Sequence, residues 1–228
     1  MSELFSIQLQ NRQQQGRDGV WLNLPTTTEQ VQAALRQIGI SSDNPQGLFI
    51  SGYFAEEEKR FAIPYNMVLA SNVDELNFLA SRLETLSTGE RAELNAALQA
   101  PQSELFSIGR ITDFPENVDY YVHLPDVRGP AQLGDYYLNR SGMVDMPEEW
   151  KGGIDTAQFG RYVAQQEQGA FTQYGYLVKS GDTWQKVHEG QPVTEEYRVL
   201  SFPAPEVLRD AANIPPPVQP ETEPQKVI

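Results

Sequence analysis

The stretch Phe5–Gly39, FSIQLQNRQQQGRDGVWLNLPTTTEQVQAALRQIG, holds two hydrophobic periods side by side. Phe5, Ile7 and Leu9 alternate with polar residues, and Val20 to Leu24 form a second short apolar run after the Asp18-Gly19 turn signal, a pattern that reads as a strand pair. Thr26 with Glu29 three residues on has the form of a capping box. Val31, Ala34, Leu35 and Ile38 then follow at helical spacing and Gly39 stops the run, which places a helix at about Thr27 to Ile38. Gly47 to Phe54 supplies a third strand. The chain therefore opens as a small sheet with one helix packed on it, and its fold class is α+β.

Outward from this stretch, Leu76, Leu79, Leu83 and Leu86 line one face of a helix starting near Asn72. Ser87 with Glu90 is a second capping box, ahead of Leu94, Ala97 and Leu98, so the middle of the chain reads as a helical hairpin or small bundle. The leucine stripe covers under two heptads and is core rather than a zipper. From Leu105 the strand signal returns with Phe106 and Ile108, then with Tyr120, Val122 and Leu124. Pro130 suits the first position of a helix running to Gly142, and Asp155 can cap another that carries Phe159, Tyr162 and Val163. Phe171–Val178 and Thr183–Val187 read as a hairpin through Ser180-Gly181-Asp182. Ser-Glu-Leu-Phe-Ser-Ile occurs twice, at Ser2–Ile7 and Ser103–Ile108, and hints at two similar sheets. The expected organisation is a sheet-plus-helix domain over residues 1–62, a helical domain over 63–101, an α+β domain over 102–200, and a Pro-rich tail, 201–228, that reads as disordered.

The 228 residues carry 31 acidic and 17 basic side chains, a formal charge of −14. Such a chain repels nucleic acid and anionic membranes and attracts a basic partner, for instance an enzyme with a positive DNA channel. Residues 1–40 are neutral, 41–100 carry 9 acids and 4 bases, and 113–167 carry 10 acids and 4 bases, so two segments dominate. On the helical segment Asp74, Glu75, Glu84, Glu90 and Glu93 fall largely off the leucine face. Further on, Asp113, Glu116, Asp119, Asp126, Asp135, Asp145, Glu148, Glu149 and Asp155 recur every few residues among tyrosines. Double-stranded DNA carries one charge per ~1.7 Å of axis, and spaced carboxylates on a rigid surface engage the same Lys and Arg groups.

With no cysteine there is neither a disulfide framework nor a thiolate site, and a cytoplasmic location fits. The start Met1-Ser2-Glu3-Leu4-Phe5-Ser6 lacks the pattern of a signal peptide, and no apolar run approaches the ~20 residues of a membrane span. The histidines are His123, within a strand, and His188, beside Glu189; both read as surface or edge-of-core residues. No phosphate loop or metal-ligand spacing is present, and Glu56-Glu57-Glu58 and Glu148-Glu149 read as solvated turns. No cofactor or metal is expected, and an enzyme is the less economical reading.

Several stretches resemble the ArdA antirestriction family of mobile elements. Gly19-Val20-Trp21-Leu22-Asn23-Leu24-Pro25 with its helix is similar to the family's opening, and Asp74–Ala80 with Leu83 to its middle helix. Leu138-Asn139-Arg140-Ser141-Gly142-Met143-Val144-Asp145-Met146-Pro147-Glu148, followed by Ile154-Asp155 and Phe159-Gly160-Arg161, resembles its antirestriction region, and Gly169–Thr172 with Gly175-Tyr176 the end of the match. The resemblance implies an elongated, curved dimer of three small domains that mimics bent B-form DNA and blocks type I restriction–modification enzymes. It also implies a dimer interface near Tyr136, Tyr137, Leu138, Met143, Val144 and Met146. Tyr162, Arg140 and Ser141 depart from the family in standing where acids are frequent. Two other classes remain open: an accessory interaction protein of a mobile element, marked by an exposed apolar patch, and a carboxylate-dependent hydrolase, which needs two carboxylates converging in a pocket.

Overall fold

A computed structural model describes residues 3–14, 18–41, 46–56 and 60–200; the expected disordered tail and the side chains of Glu57 and Glu58 lie outside these. The architecture is mixed α+β, with two small antiparallel sheets joined through helices.

β1 (Phe5–Asn11), β2 (Val20–Leu24) and β3 (Leu48–Phe54) form the first sheet in the order β2-β1-β3. Strict alternation buries Phe5, Ile7, Leu9 and Asn11 on one face of β1, where Val31, Ala34 and Leu35 of α1 (Thr28–Gln37) are also buried. The capping box of α1 sits one residue later than its Ser/Thr-x-x-Glu signal. Thr27 is the cap, its hydroxyl accepting from the Gln30 N–H while Gln30 Oε1 accepts from the Thr27 N–H. Thr26 is instead buried, and its N–H donates to Asn77 Oδ1 at 2.7 Å. A second polar link closes the sheet layer, since Asn11 Nδ2 donates to Ile38 O at 3.1 Å at the end of α1.

After α2 (Tyr65–Leu69), α3 (Val73–Glu84) and α4 (Thr88–Gln99) begin at the expected caps, Asn72 and Ser87. Leu76, Leu79, Leu83 and Leu86 are all buried, so the stripe is core. The two helices do not make the expected self-packed hairpin. α3 packs on β2 and on α5 (Ile108–Thr112), whereas α4 packs on β4 (Tyr121–Leu124) and β6 (Gly175–Lys179), so the pair bridges the sheets. One buried apolar cluster accordingly runs from Leu4 to Val199 across the expected boundaries near residues 62 and 101.

The expected strand at Leu105–Ile108 is not formed. Its backbone is irregular up to Ser107, whose hydroxyl accepts from the Arg110 N–H and caps α5. Leu105 and Ile108 are buried while Phe106 is exposed, a spacing of three that suits a helix start rather than a strand. The second sheet has the order β4-β6-β5 and is closed by a hairpin between β5 (Ala170–Thr172) and β6, with Gly175 at φ +131° after the turn. Phe171–Val178 thus folds back on itself, and Thr183–Val187 is not a strand. The chain from Ser180 to Leu200 instead runs as an irregular arm, its only regular piece among the described residues being a 3-10 turn at Glu195–Tyr197. Among the described residues no helix is long and apolar enough to cross a membrane.

Candidate functional site

The stretch resembling an antirestriction region, from Leu138 to Glu148, follows α6 (Pro130–Asp135), which has Pro130 at its first helical position, and starts within a π-helical turn, Tyr136–Arg140. α7 (Glu148–Lys151) and α8 (Thr156–Glu167) follow, the latter capped by Asp155, whose Oδ1 accepts from the Gln158 N–H at 2.9 Å. α6 and α8 meet backbone to backbone. A Cβ added at Gly160 would stand 1.8 Å from Pro130 O, and one at Gly134 would stand 1.9 Å from Thr156 O. The π turn is closed by the Ser141 N–H donating to Tyr136 O at 2.8 Å, and it leaves Tyr137 facing the end of α8. There Glu167 accepts from the hydroxyls of both Tyr137 and Tyr176, the latter at 2.9 Å. Burial, then the adjacent carboxylate, push both phenols well above the ordinary tyrosine range. Glu167 ties the two helices to the second sheet, around a small core of Val127, Leu133 and Tyr176.

The expected surface acids divide by what their carboxylates already hold. Asp113 is a correction: it is 0% exposed and cannot belong to an outer array. Its two oxygens accept the N–H groups of Val187, His188 and Glu189 at 3.2, 2.6 and 3.2 Å, pinning the arm. Asp74 does the same at the arm's end, its Oδ1 accepting from Val199 and Leu200 at 2.7 and 2.8 Å. Glu90 closes the α4 capping box, and that contact with Ser87 holds its carboxyl below the usual range. On the surface, Glu116 pairs with Arg82, Asp135 with Arg140 at 3.2 Å, and Glu148 with Lys151 at 2.6 Å. Glu84 is half-buried and also engaged. The carboxylates of Glu75, half-exposed on α3, and of the exposed Asp119, Asp126, Asp145 and Glu149 carry no hydrogen bond or ion pair among the described residues.

Glu93 behaves differently. Its Oε1 is buried without a hydrogen-bond partner, and burial, reinforced by the charges of Glu90 and Asp119, raises its pKa from an ordinary 4.5 to about 8. A carboxyl raised by folding stabilises the fold below about pH 4.5, and that contribution is lost as pH climbs through about 8. Glu93→Gln is therefore expected to leave stability unchanged near pH 4 and to raise it by about 1–2 kcal/mol at pH 8, a figure discounted for partial exposure. Urea denaturation at the two pH values reads this directly, and parallel pH profiles for variant and parent would refute it.

Of the residues expected at a dimer interface, Leu138 is buried within its own chain, and Tyr136 and Tyr137 are half-buried against the Val127–Leu133–Tyr176 core. Met143 is 76% exposed, while Val144 and Met146 are half-buried. Sequence reasoning passed over Trp150, 66% exposed on α7 between Glu149 and Lys151, and Tyr162, which it placed on α8 with Phe159 and Val163, is 59% exposed. The Trp150 signal was readable: a lone tryptophan in Glu-Glu-Trp-Lys has no apolar periodicity around it. His123 Nε2 contacts Tyr174 O at 2.9 Å, and His188 packs edge-on against Phe78 with its Nε2 4.0 Å from Glu116.

A family model described as "Antirestriction protein (ArdA)" matches residues 15–178. None of the curated proteins matches the chain. The matched residues take in β2 and β3 of the first sheet, the bridging helices, the Gly134–Gly160 crossing and the second sheet as far as Val178; β1 lies before them.

Proposed function

This chain belongs to the ArdA antirestriction family, and from that premise we propose that it inhibits type I restriction–modification enzymes by filling their DNA-binding groove with a carboxylate surface that imitates B-form DNA. The observation that carries this reading is the set of unpaired acids Glu75, Asp119, Asp126, Asp145 and Glu149 on a chain of charge −14. A free surface carboxylate meets an incoming Lys or Arg without first breaking an internal bond. Glu116, Asp135, Glu148 and Asp155 join the array at small cost, since an exposed ion pair contributes only ~0–1 kcal/mol and exchanges partners readily. Asp113 and Asp74 do not join it, because their oxygens hold the arm. The mechanism is stoichiometric competition rather than catalysis, and it needs no cofactor. The elongated three-domain dimer, joined around Met143, Val144 and Met146, and a cytoplasmic site of action belong to the same proposal.

The reading is tested by plating unmodified phage on cells with a type I system, with and without this protein. Relief of restriction is expected, and unchanged plating efficiency would refute it. Replacing Glu75, Asp119, Asp126, Asp145 and Glu149 by Gln or Asn in growing sets is expected to erode relief in steps, each contact contributing about 0.2–1 kcal/mol. One all-or-none acid among neutral neighbours would point instead to a discrete pocket.

A further inference from the structure

The face of the first sheet turned away from α1 is left open among the described residues. Ser6, Gln8 and Gln10 of β1 point to this side, because Phe5, Ile7, Leu9 and Asn11 between and beside them are buried on the other. Trp21, the partner of Gln8 on β2, lies across the strands: a Cβ added at Gly52 on β3 would stand 3.1 Å from both its ring and the Gln8 Cβ. Trp21 and Phe54 are 49% and 54% exposed and meet edge-on at 6.5 Å. At the far end of the face the Arg12 guanidinium sits 5.2 Å over the Phe49 ring. Between the rings lie only amides and hydroxyls, with Ser6 Oγ donating to Asn23 Oδ1 at 2.7 Å and Ser51 Oγ to Gln8 Oε1 at 3.0 Å. None of the outward strand positions is an acid, in a chain that has 31. Aromatic rings and an arginine on a patch free of carboxylates have the composition of the centre of a protein–protein interface.

Charge selects what covers this face. Two copies of a chain of charge −14 repel wherever acid meets acid, and here they do not. The charges that flank the face stand at opposite ends of β1. Glu3 lies just before the strand and Arg12 just after it, both exposed and neither in an ion pair among the described residues. They are roughly 30 Å apart along extended chain, with Gln8 near the midpoint. A two-fold axis crossing the strands at Gln8 reverses β1 and brings Arg12 of each copy over Glu3 of the other. We propose that this face is a contact between two copies of the chain, stacked sheet on sheet and antiparallel about Gln8, with Trp21 against the partner's Trp21 and Arg12 against the partner's Glu3. Side-chain amides both donate and accept, so Gln8, Gln10 and Asn23 can pair with their own copies across such an axis. Three short strands offer less than the ~800 Å² per partner of a standard interface, and the contact is accordingly expected to be weak and to form at micromolar protein or above. It is separate from the contact proposed around Met143 and independent of what the acidic surface binds.

The full chain has no cysteine, so Gln8→Cys places a single thiol at the axis. Treating this full-length variant with a short bismaleimide is expected to give a band of twice the chain mass. Arg12→Glu should cut the yield several-fold, and Glu3→Arg together with Arg12→Glu should restore it. Trp21→Arg should abolish the band, whereas Met143→Arg should leave it unchanged. Gly89→Cys, exposed on α4, is the control for chance collision and should stay at single mass. No crosslink at Gln8, an equal one at Gly89, indifference to Trp21→Arg and Arg12→Glu, or no recovery in the double reversal would overturn the proposal. Loss of the band in Met143→Arg would do so too, because the thiols would then meet only through the other contact.

Discussion

Gly160→Ala is expected to lower stability by ~3 kcal/mol, at the upper end of what an added methyl costs in a packed interior. The methyl would stand 1.8 Å from Pro130 O and 2.8 Å from the Gly134 N, and both obstacles are backbone of α6 rather than side-chain ends that can swing aside. Relief requires α8 to lift away from α6. That motion would also draw Glu167 from Tyr137 and Tyr176 and open the small core beneath them. Gly134→Ala meets Thr156 O at 1.9 Å and should act alike, and the double variant should cost less than the sum because both strain one crossing. Gly89→Ala in α4 is the control: nothing lies within 4 Å of its added Cβ, and alanine favours a helix, so stability should hold or rise slightly. Chemical denaturation of the three single variants decides the matter, and a Gly160→Ala protein as stable as its parent would contradict the crossing as described.

The second large effect is expected at Asp113. In Asp113→Ala the N–H groups of Val187, His188 and Glu189 lose their acceptor in a buried setting, at about 1–3 kcal/mol for each that stays unsatisfied. Partial release of the arm to water relieves some of this, so a net loss of ~2–4 kcal/mol is expected. Asp113→Asn should fall nearly as far, because its amide offers one acceptor and turns an NH2 toward donors. Trp184 reports on the event. Its ring lies 5.1 Å from Tyr120 in the arm's packed face, whereas Trp21 and Trp150 are already 49% and 66% exposed. A red shift of tryptophan emission with faster proteolysis between Ser180 and Leu200 is the expected outcome. Unchanged emission and wild-type proteolysis would show that the arm is held by other contacts.

What could be read from the sequence was what local chemistry decides. Alternation in β1, the leucine spacing of α3, Pro130 at a helix start and Asp155 as a cap each depend on residues within one turn or one strand, and each was found where expected. The repeated hexapeptide shows the limit. Ser-Glu-Leu-Phe-Ser-Ile leads into β1 at its first occurrence and into the cap of α5 at its second, because the second copy lacks a strand partner and Ser107 meets the Arg110 N–H. The choice is made by contacts far along the chain. Asp113 was misjudged for the same reason: its partners are Val187 to Glu189, more than seventy residues away, and no local spacing announces them. The small residue of the Phe159-Gly160-Arg161 match was legible as a pattern, but its cause, a helix crossing with no room for a methyl, is a property of the packed structure.

The central claim is that unpaired surface acids compete with DNA for a basic groove, and the most direct measurement is displacement of labelled duplex DNA from a purified type I methyltransferase at increasing salt. The Debye length falls from about 30 Å at 0.01 M to about 3 Å at 1 M, so an array of charge contacts must weaken with ionic strength. The wild-type chain is expected to displace DNA at low salt, to bind the methyltransferase more weakly as salt rises, and to lose most of its competition when Glu75, Asp119, Asp126, Asp145 and Glu149 are neutralised together. Displacement that is indifferent to salt and to that five-fold replacement would contradict the account.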